Sequence, residues 1–224
     1  MKEHILCFGA HPDDIELGCG GTIAKLVNQG HKIVHAILTS GEAGALETPP
    51  EELARVREEE AQASARILGT SEVQFLRYRD GLMHPTREMK IKVIRLIREI
   101  RPDTIFVHGR DDRFPDHRIT HELVMAAIEA ASGPWYSEPG GAPHTATRVL
   151  GYEVWNPIAQ PGVFIDISNT LEKKLKALRA HESQLQTIPY DDAAQGLARY
   201  RGTMSRQGCF AEAFEVLRSG GFSC

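Results

Sequence analysis

Cysteine is scarce in this sequence, and none of it is paired. Cys7, Cys19, Cys209 and Cys224 form no CxxC element, which excludes a zinc ribbon or a disulfide-stapled scaffold and fits a reducing compartment. Long apolar runs are missing too. No stretch approaches the roughly 20 residues that cross a bilayer, and the opening MKEHILCFGAHPDD has no signal-peptide core. The expectation is therefore a cytoplasmic protein with no membrane span. Neither sign of charge dominates: the net charge is −4 over 224 residues, so nothing draws the chain to nucleic acid or an anionic surface. Internal repeats, low-complexity tracts and linkers are also absent. What is present is an ordinary globular composition, 42% hydrophobic and 25% charged. It suffices for one domain over residues 1–224 with a substantial core, and the expected partner is a small molecule.

Four short apolar runs rich in β-branched and aromatic residues read as buried strands: HILCFGA (4–10), KIVHAILTS (32–40), VQFLRY (73–78) and TIFVHG (104–109). Between them, GGTIAKLVNQG (20–30), PEELARVREEEAQASARILG (50–69) and TREMKIKVIRLIREI (86–100) carry apolar residues every three to four positions. These read as helices, closed by Gly30, Gly69 or the approach to Pro102. The alternation predicts a Rossmann-like, doubly wound, mainly parallel α/β sheet ordered 3-2-1-4, with helices on both faces. After a helix containing RITHELVMAAIEAA (118–131), the Gly- and Pro-rich stretch 132–147 reads as a lid. Extra strands at 148–155 and 163–168, helices over 169–186 and 190–206, and a last apolar run at 210–217 complete the chain.

The chemistry concentrates in FGAHPDDIELGCGGT (8–22). A nucleotide loop needs GxGxxG at the strand-to-helix turn and an acid closing the second strand. Here the glycines lie well beyond the strand and the second strand ends in LTSGE, so that reading fails. The glycines instead permit close packing of the helix start against the loop before it. Asp13 or Asp14 serving merely as a helix cap is the plain alternative. Against it stands a second polar cluster, HGRDDRFPDHR (108–118), which follows the fourth strand as AHPDDIE follows the first. In a 3-2-1-4 sheet those two strands are neighbours at the switch point, and ligands sit beyond their C-terminal ends.

His11 and Asp14 are three residues apart with Pro12 stiffening the turn, so both face one point while Asp13 faces sideways, and His117 closes the set. Two imidazoles and one carboxylate with an open position describe a catalytic zinc site, one Zn2+ per chain. Fe2+ suits the same donors. An acid beside the metal but off it is what a hydrolase needs as general base, the role expected of Asp13. His121, four residues past His117, makes no HExxH pair, because Arg118 stands where that motif needs Glu.

AHPDD, GGTIAKL, REEEAQASARILG, RPDTIF, PDH, and DISNTLEKKLKAL with HESQ occur in that order. On these motifs the chain resembles, nearly end to end, the LmbE-like or PIG-L N-acetylglucosaminyl deacetylases. The resemblance implies a metal-dependent hydrolase that removes acetyl from an N-acetylglucosamine-type sugar or conjugate, releasing acetate and a free amine. A homo-oligomer is the expected assembly. It carries the metal-ligand role to His11, Asp14 and His117, the base to Asp13, substrate contacts to Arg57 and Arg113, and support of a ligand histidine to Asp116. One position departs from the family. Where its second motif reads His-Pro-Asp-His, this chain has Phe114 in place of the first histidine, a residue type whose oxyanion role is worth about 3–4 kcal/mol. His84, His108 and Arg113 are candidates to replace it, and zinc itself can polarise the amide oxygen. The alternative is a zinc-containing sugar-binding protein whose catalysis has lapsed.

Overall fold

Alternate residues of the first strand are buried on opposite sides, Leu6 and Phe8 in one apolar cluster and Ile5 and Cys7 in another. A strand covered on both faces shows no polar side, and its sequence is a continuous apolar run. The computed structural model describes residues 2–186 and 188–220. Its elements are β1 (His4–Gly9), α1 (Asp14–Asn28), β2 (Lys32–Thr39), α2 (Pro50–Leu68), β3 (Glu72–Tyr78), α3 (Arg87–Ile100), β4 (Thr104–His108), α4 (Pro115–Ala131), β5 (Arg148–Tyr152), β6 (Val163–Asp166), α5 (Leu171–Leu178), α6 (Glu182–Leu185), α7 (Tyr190–Ser205) and β7 (Ala211–Arg218).

The strands form one sheet ordered β3-β2-β1-β4-β5-β7-β6, so the 3-2-1-4 order holds. β1 to β5 are parallel, and β7 is antiparallel to both β5 and β6. Helices α3 and α4 bury apolar faces against one side of the sheet; α1, α2 and α5 cover the other. The switch point falls between β1 and β4, whose chains depart toward α1 and α4 from the same sheet edge.

Helices α1 and α4 both begin earlier than their apolar periodicity indicates, at Asp14 and Pro115. Pro115 supplies a preset φ at the first helical turn and lacks a donor that the turn would leave free. In α1 the signal is interrupted by a kink at Cys19 (φ −143°, ψ 16°). There Glu212 of β7 accepts the N–H groups of Gly21 (2.9 Å) and Thr22 (2.7 Å). A carboxylate delivered from the far end of the chain thus caps the restarted helix. Lys174 of α5 neutralises it at 2.6 Å and also donates to the Leu17 carbonyl at 2.7 Å.

The glycines do allow close packing, but not on the preceding loop. A Cβ at Gly18 would lie 2.1 Å from the Tyr152 ring, and one at Gly21 would lie 2.7 Å from Ile167. The helix expected over 169–186 is split into α5 and α6, because Glu60 takes both the N–H and the hydroxyl of Ser183 at 2.7 Å and turns the chain. The lid reading of 132–147 is also corrected. That loop joins the end of α4 to the start of β5 at the opposite sheet edge, and Arg98 pins it through the carbonyls of Gly133 (2.9 Å), Trp135 (2.8 Å) and Tyr136 (3.0 Å).

Candidate metal centre

The chain leaves β1 and enters α1 through Asp13, whose φ of 110° lies in the left-handed region and whose side chain makes no cap hydrogen bond. A strained non-glycine residue at this position is held by its surroundings, and simple helix capping does not account for it. The turn lets the His11 N–H donate to Asp14 Oδ2 at 2.7 Å, which fixes both side chains on one side. From across the switch point, Pro115 places His117 in the first turn of α4. His11 Nδ1 then lies 3.2 Å from His117 Nε2, His117 Nε2 lies 3.2 Å from Asp14 Oδ1, and His11 Nδ1 lies 3.5 Å from Asp14 Oδ2. Bonds of about 2.0–2.1 Å to a tetrahedral ion separate its donors by roughly 3.3 Å, so the three residues fit a Zn2+-sized cation.

Two other acid–imidazole groupings, His108/Asp112/His117 and His11/Asp80/Asp116, are also close enough to share an ion. They are better read as the supports of the first, since each uses the outer nitrogen of a histidine whose inner nitrogen already faces the triad. His11 Nε2 meets Asp80 Oδ1 at 3.0 Å and Asp116 Oδ2 at 3.5 Å. Those carboxylates are anchored in turn by the N–H groups of Ala43 (3.0 Å) and Gly81 (2.8 Å). His117 Nδ1 is 3.3 Å from Asp112 Oδ1, close but not aligned for a hydrogen bond. Such outer contacts select the tautomer that presents the inner nitrogen.

Burial acts to lower the pKa of His117, but Asp14 and Asp112 outweigh it and push it up to about 9. His11 is likewise held well above its ordinary value, against burial, by Asp116, Asp14 and Asp80. For Asp14, burial opposes ionisation, yet His117 and His108 hold it well below the usual carboxylate range. Protonated imidazoles balance this acid-rich box, and a bound divalent cation gives the same balance while releasing their protons. Asp13 differs from its neighbour: burial raises it to about 6 against the pull of Arg57, whose Nη2 lies 3.2 Å from Asp13 Oδ2. A base in that range is suited to neutral pH. The site opens into a cavity of about 380 Å³, also lined by Ala43, Gly44, Phe114, Trp155, Gln184 and Tyr190.

The sequence matches the PIG-L family, described as GlcNAc-PI de-N-acetylase, over residues 6–128. The chain belongs to the PIG-L family. It is 34% identical over 213 residues to the diacetylchitobiose deacetylase of Thermococcus kodakarensis, covering 90% of this chain and 78% of that one. Its structure resembles that of N,N'-diacetylchitobiose deacetylase from Pyrococcus horikoshii (TM-score 0.86, 28% identity, 95% of this chain and 83% of that one). It also resembles GalB, the 4-carboxy-2-hydroxymuconate hydratase of Pseudomonas putida KT2440 (TM-score 0.87, 24% identity, 100% and 99%). The latter is a likeness of fold alone. Since the same fold hosts a hydratase, the chemistry of this PIG-L protein has to be argued from its site.

The fold brings His11, Asp13, Asp14, Asp116 and His117 to one sheet edge, with Asp116 beside His11 rather than beside its sequence neighbour His117. Arg57 lines the cavity, but its guanidinium is directed inward, donating to the Pro12 carbonyl (2.7 Å), the Gly41 carbonyl (3.0 Å) and Asp13. It holds the Asp13 turn and does not pair with the glutamates of its own helix. Arg113 is exposed at the rim, 4.5 Å over the Trp155 ring. None of the three candidates to replace the missing histidine reaches the cavity. His108 is fully buried beneath His117, His84 is exposed near its own loop carbonyl at Leu82, and Arg113 lies on Trp155. Sequence reasoning missed Asp80, Asp112, Trp155 and Tyr190. For Asp80 a signal existed: it is an acid just past the C-terminal end of a parallel strand, where ligands gather.

Among the described residues, no helix is long and apolar enough to cross a membrane.

Proposed function

We propose that this PIG-L-family protein is a cytoplasmic, zinc-dependent hydrolase that removes the acetyl group from an N-acetylglucosamine-type sugar or conjugate. Its products are acetate and a free amine. The observation that carries the reading is Asp13: an acid beside the His11/Asp14/His117 triad, buried in the cavity wall and held by Arg57 in a strained backbone conformation. His11, Asp14 and His117 would hold the divalent cation, which when bound would acidify a water and polarise the acetamide oxygen. Asp13 takes the proton from the attacking water and returns it to the nitrogen as the C–N bond breaks. Arg57 positions Asp13 through Oδ2. Asp80 and Asp116 on one side, and Asp112 on the other, keep the two ligand histidines aimed. Burial, with Asp13 nearby, raises the Tyr190 phenol above its ordinary value, so it stays protonated. It is the hydroxyl donor of the cavity wall, available to the oxygen that gains charge as water adds, and it takes the part that Phe114 cannot.

The named relatives that deacetylate amino sugars support this substrate class. The test is acetate release from N-acetylglucosamine, N,N'-diacetylchitobiose and N-acetylglucosaminyl conjugates by the zinc-loaded protein. Release that is abolished by a chelator and restored by Zn2+ is expected. Saturable sugar binding with no acetate from any substrate would overturn the enzyme reading in favour of a lapsed, sugar-binding protein.

A further inference from the structure

We propose that Phe114 and Trp155 form a stacking platform for a second pyranose ring, the one joined to the N-acetylated sugar, and that Phe114 thereby selects oligosaccharides over monosaccharides. This rests on the deacetylase reading and names its substrate class. The two rings stack at 5.3 Å with their planes 16° apart. Tyr190 packs edge-on to Trp155 at 5.6 Å, and Arg113 lies over the same indole. Both aromatic residues are registered to the metal centre by one carboxylate: Asp112 accepts the backbone N–H of Phe114 through Oδ1 (2.9 Å) and that of Trp155 through Oδ2 (3.1 Å), while Oδ1 also faces His117.

The Phe114 ring meets His11 edge-on at 6.3 Å and His117 at 5.5 Å, so it begins where the metal triad ends. It is nevertheless 38% exposed. A preorganised aromatic wall left open beside a reacting centre suits the C–H face of a sugar ring, because covering it buries apolar area without ordering the wall. Among the described residues Trp155 makes ring contacts with Phe114 and Tyr190 but with neither triad histidine, so the wall continues past the triad, on the side where a ring joined to the acetamido sugar would lie. Arg113 lies over both rings, 4.5 Å from the indole and 5.9 Å from the Phe114 ring, so the cationic contact to the wall is already made, which argues for an uncharged ring as the ligand.

The experiment compares kcat and KM of the zinc-loaded protein on N-acetylglucosamine, N,N'-diacetylchitobiose and phenyl N-acetylglucosaminide, for the parent and for Phe114→Ala and Phe114→Tyr. The disaccharide is expected to exceed the monosaccharide at least tenfold in kcat/KM, mainly through KM. Phe114→Ala should erase that ratio and Phe114→Tyr should keep it. A ratio unchanged by Phe114→Ala would overturn the platform, as would equal losses on both sugars. A gain for the phenyl glycoside matching that of the disaccharide would overturn the pyranose assignment.

A second readout is independent of turnover. The chain has two tryptophans, so in a zinc-loaded Asp13→Asn, Trp135→Phe protein the fluorescence reports Trp155 alone. Saturable quenching by the disaccharide that Phe114→Ala removes is expected. That quenching without acetate release from any sugar by the parent sinks the deacetylase reading alone, whereas release without quenching sinks the platform alone.

Discussion

Two of the buried charge clusters along α1 are built on opposite principles. At the Cys19 kink both charged groups have partners: Glu212 Oε1 takes Gly21 and Lys174, Oε2 takes the Thr22 N–H, and Lys174 also holds the Leu17 carbonyl, leaving only the neutral Thr22 hydroxyl unpartnered among these described residues. One cation meets one anion, and both are buried. At the N-terminus of the same helix, Asp13, Asp14, Asp80, Asp112 and Asp116 gather around the imidazoles of His11 and His117. Among the described residues, the guanidinium in direct contact is that of Arg57, on Asp13. There the His108 and His117 Nδ1 atoms are buried without a hydrogen bond, and a cavity opens onto the group. A saturated cluster fixes structure, while an acid-rich, convergent and open one is arranged for something that arrives. Burial alone does not distinguish them; the completeness of their partners does.

The largest expected effect breaks the open cluster's chemistry without breaking its shape. Asp13→Asn keeps the contact surface but cannot accept the water's proton, so kcat should fall by about 10³-fold while metal analysis still finds one Zn2+ per chain. Loss of metal in step with activity would instead make Asp13 a ligand.

The converse test targets the closed cluster. Lys174→Met leaves Glu212 with only its two backbone donors, and denaturant unfolding should show about 3 kcal/mol lost, at the low end for an uncompensated buried charge. The kcat of the remaining folded protein should be unchanged. A change in kcat at constant stability would mean that the closed cluster also serves the reaction.

A smaller effect is expected at the cavity wall. Tyr190→Phe removes the proposed oxyanion donor, and kcat should drop about 10²-fold with KM little altered; His84→Ala should leave both constants where they were. The smallest expected change probes the shell behind His11. Asp80→Asn should weaken Zn2+ binding about 10–100-fold in chelator competition, as loss of an outer partner does. Unchanged affinity would assign that work to Asp116 alone.

Much of this contrast was legible in the chain. The central strands β1 and β4 read as apolar runs because both faces are covered, and the spacing His11-x-x-Asp14 is local, so one turn stiffened by Pro12 brings those groups together. His117 was reachable as well, since a doubly wound sheet makes β1 and β4 neighbours and directs both following turns to one edge. The start of α1 was not legible. Its glycines obtain their meaning from Glu212, Tyr152 and Ile167, more than 100 residues away. Asp80 was legible only as an acid beyond the end of β3; nothing near it in the chain states that it will face His11.

By itself, then, the sequence determined the parallel sheet, the switch point, and a triad with an acid beside it, because these depend on periodicity and on contacts a few residues apart. The tertiary structure alone decided which acid supports which histidine, that Arg57 faces inward to hold Asp13, that the glycine-rich loop lies far from the site, and that Phe114 meets Trp155. Those pairings join segments with no sequence relation, and only the packing of the helices on the sheet sets the distances between them.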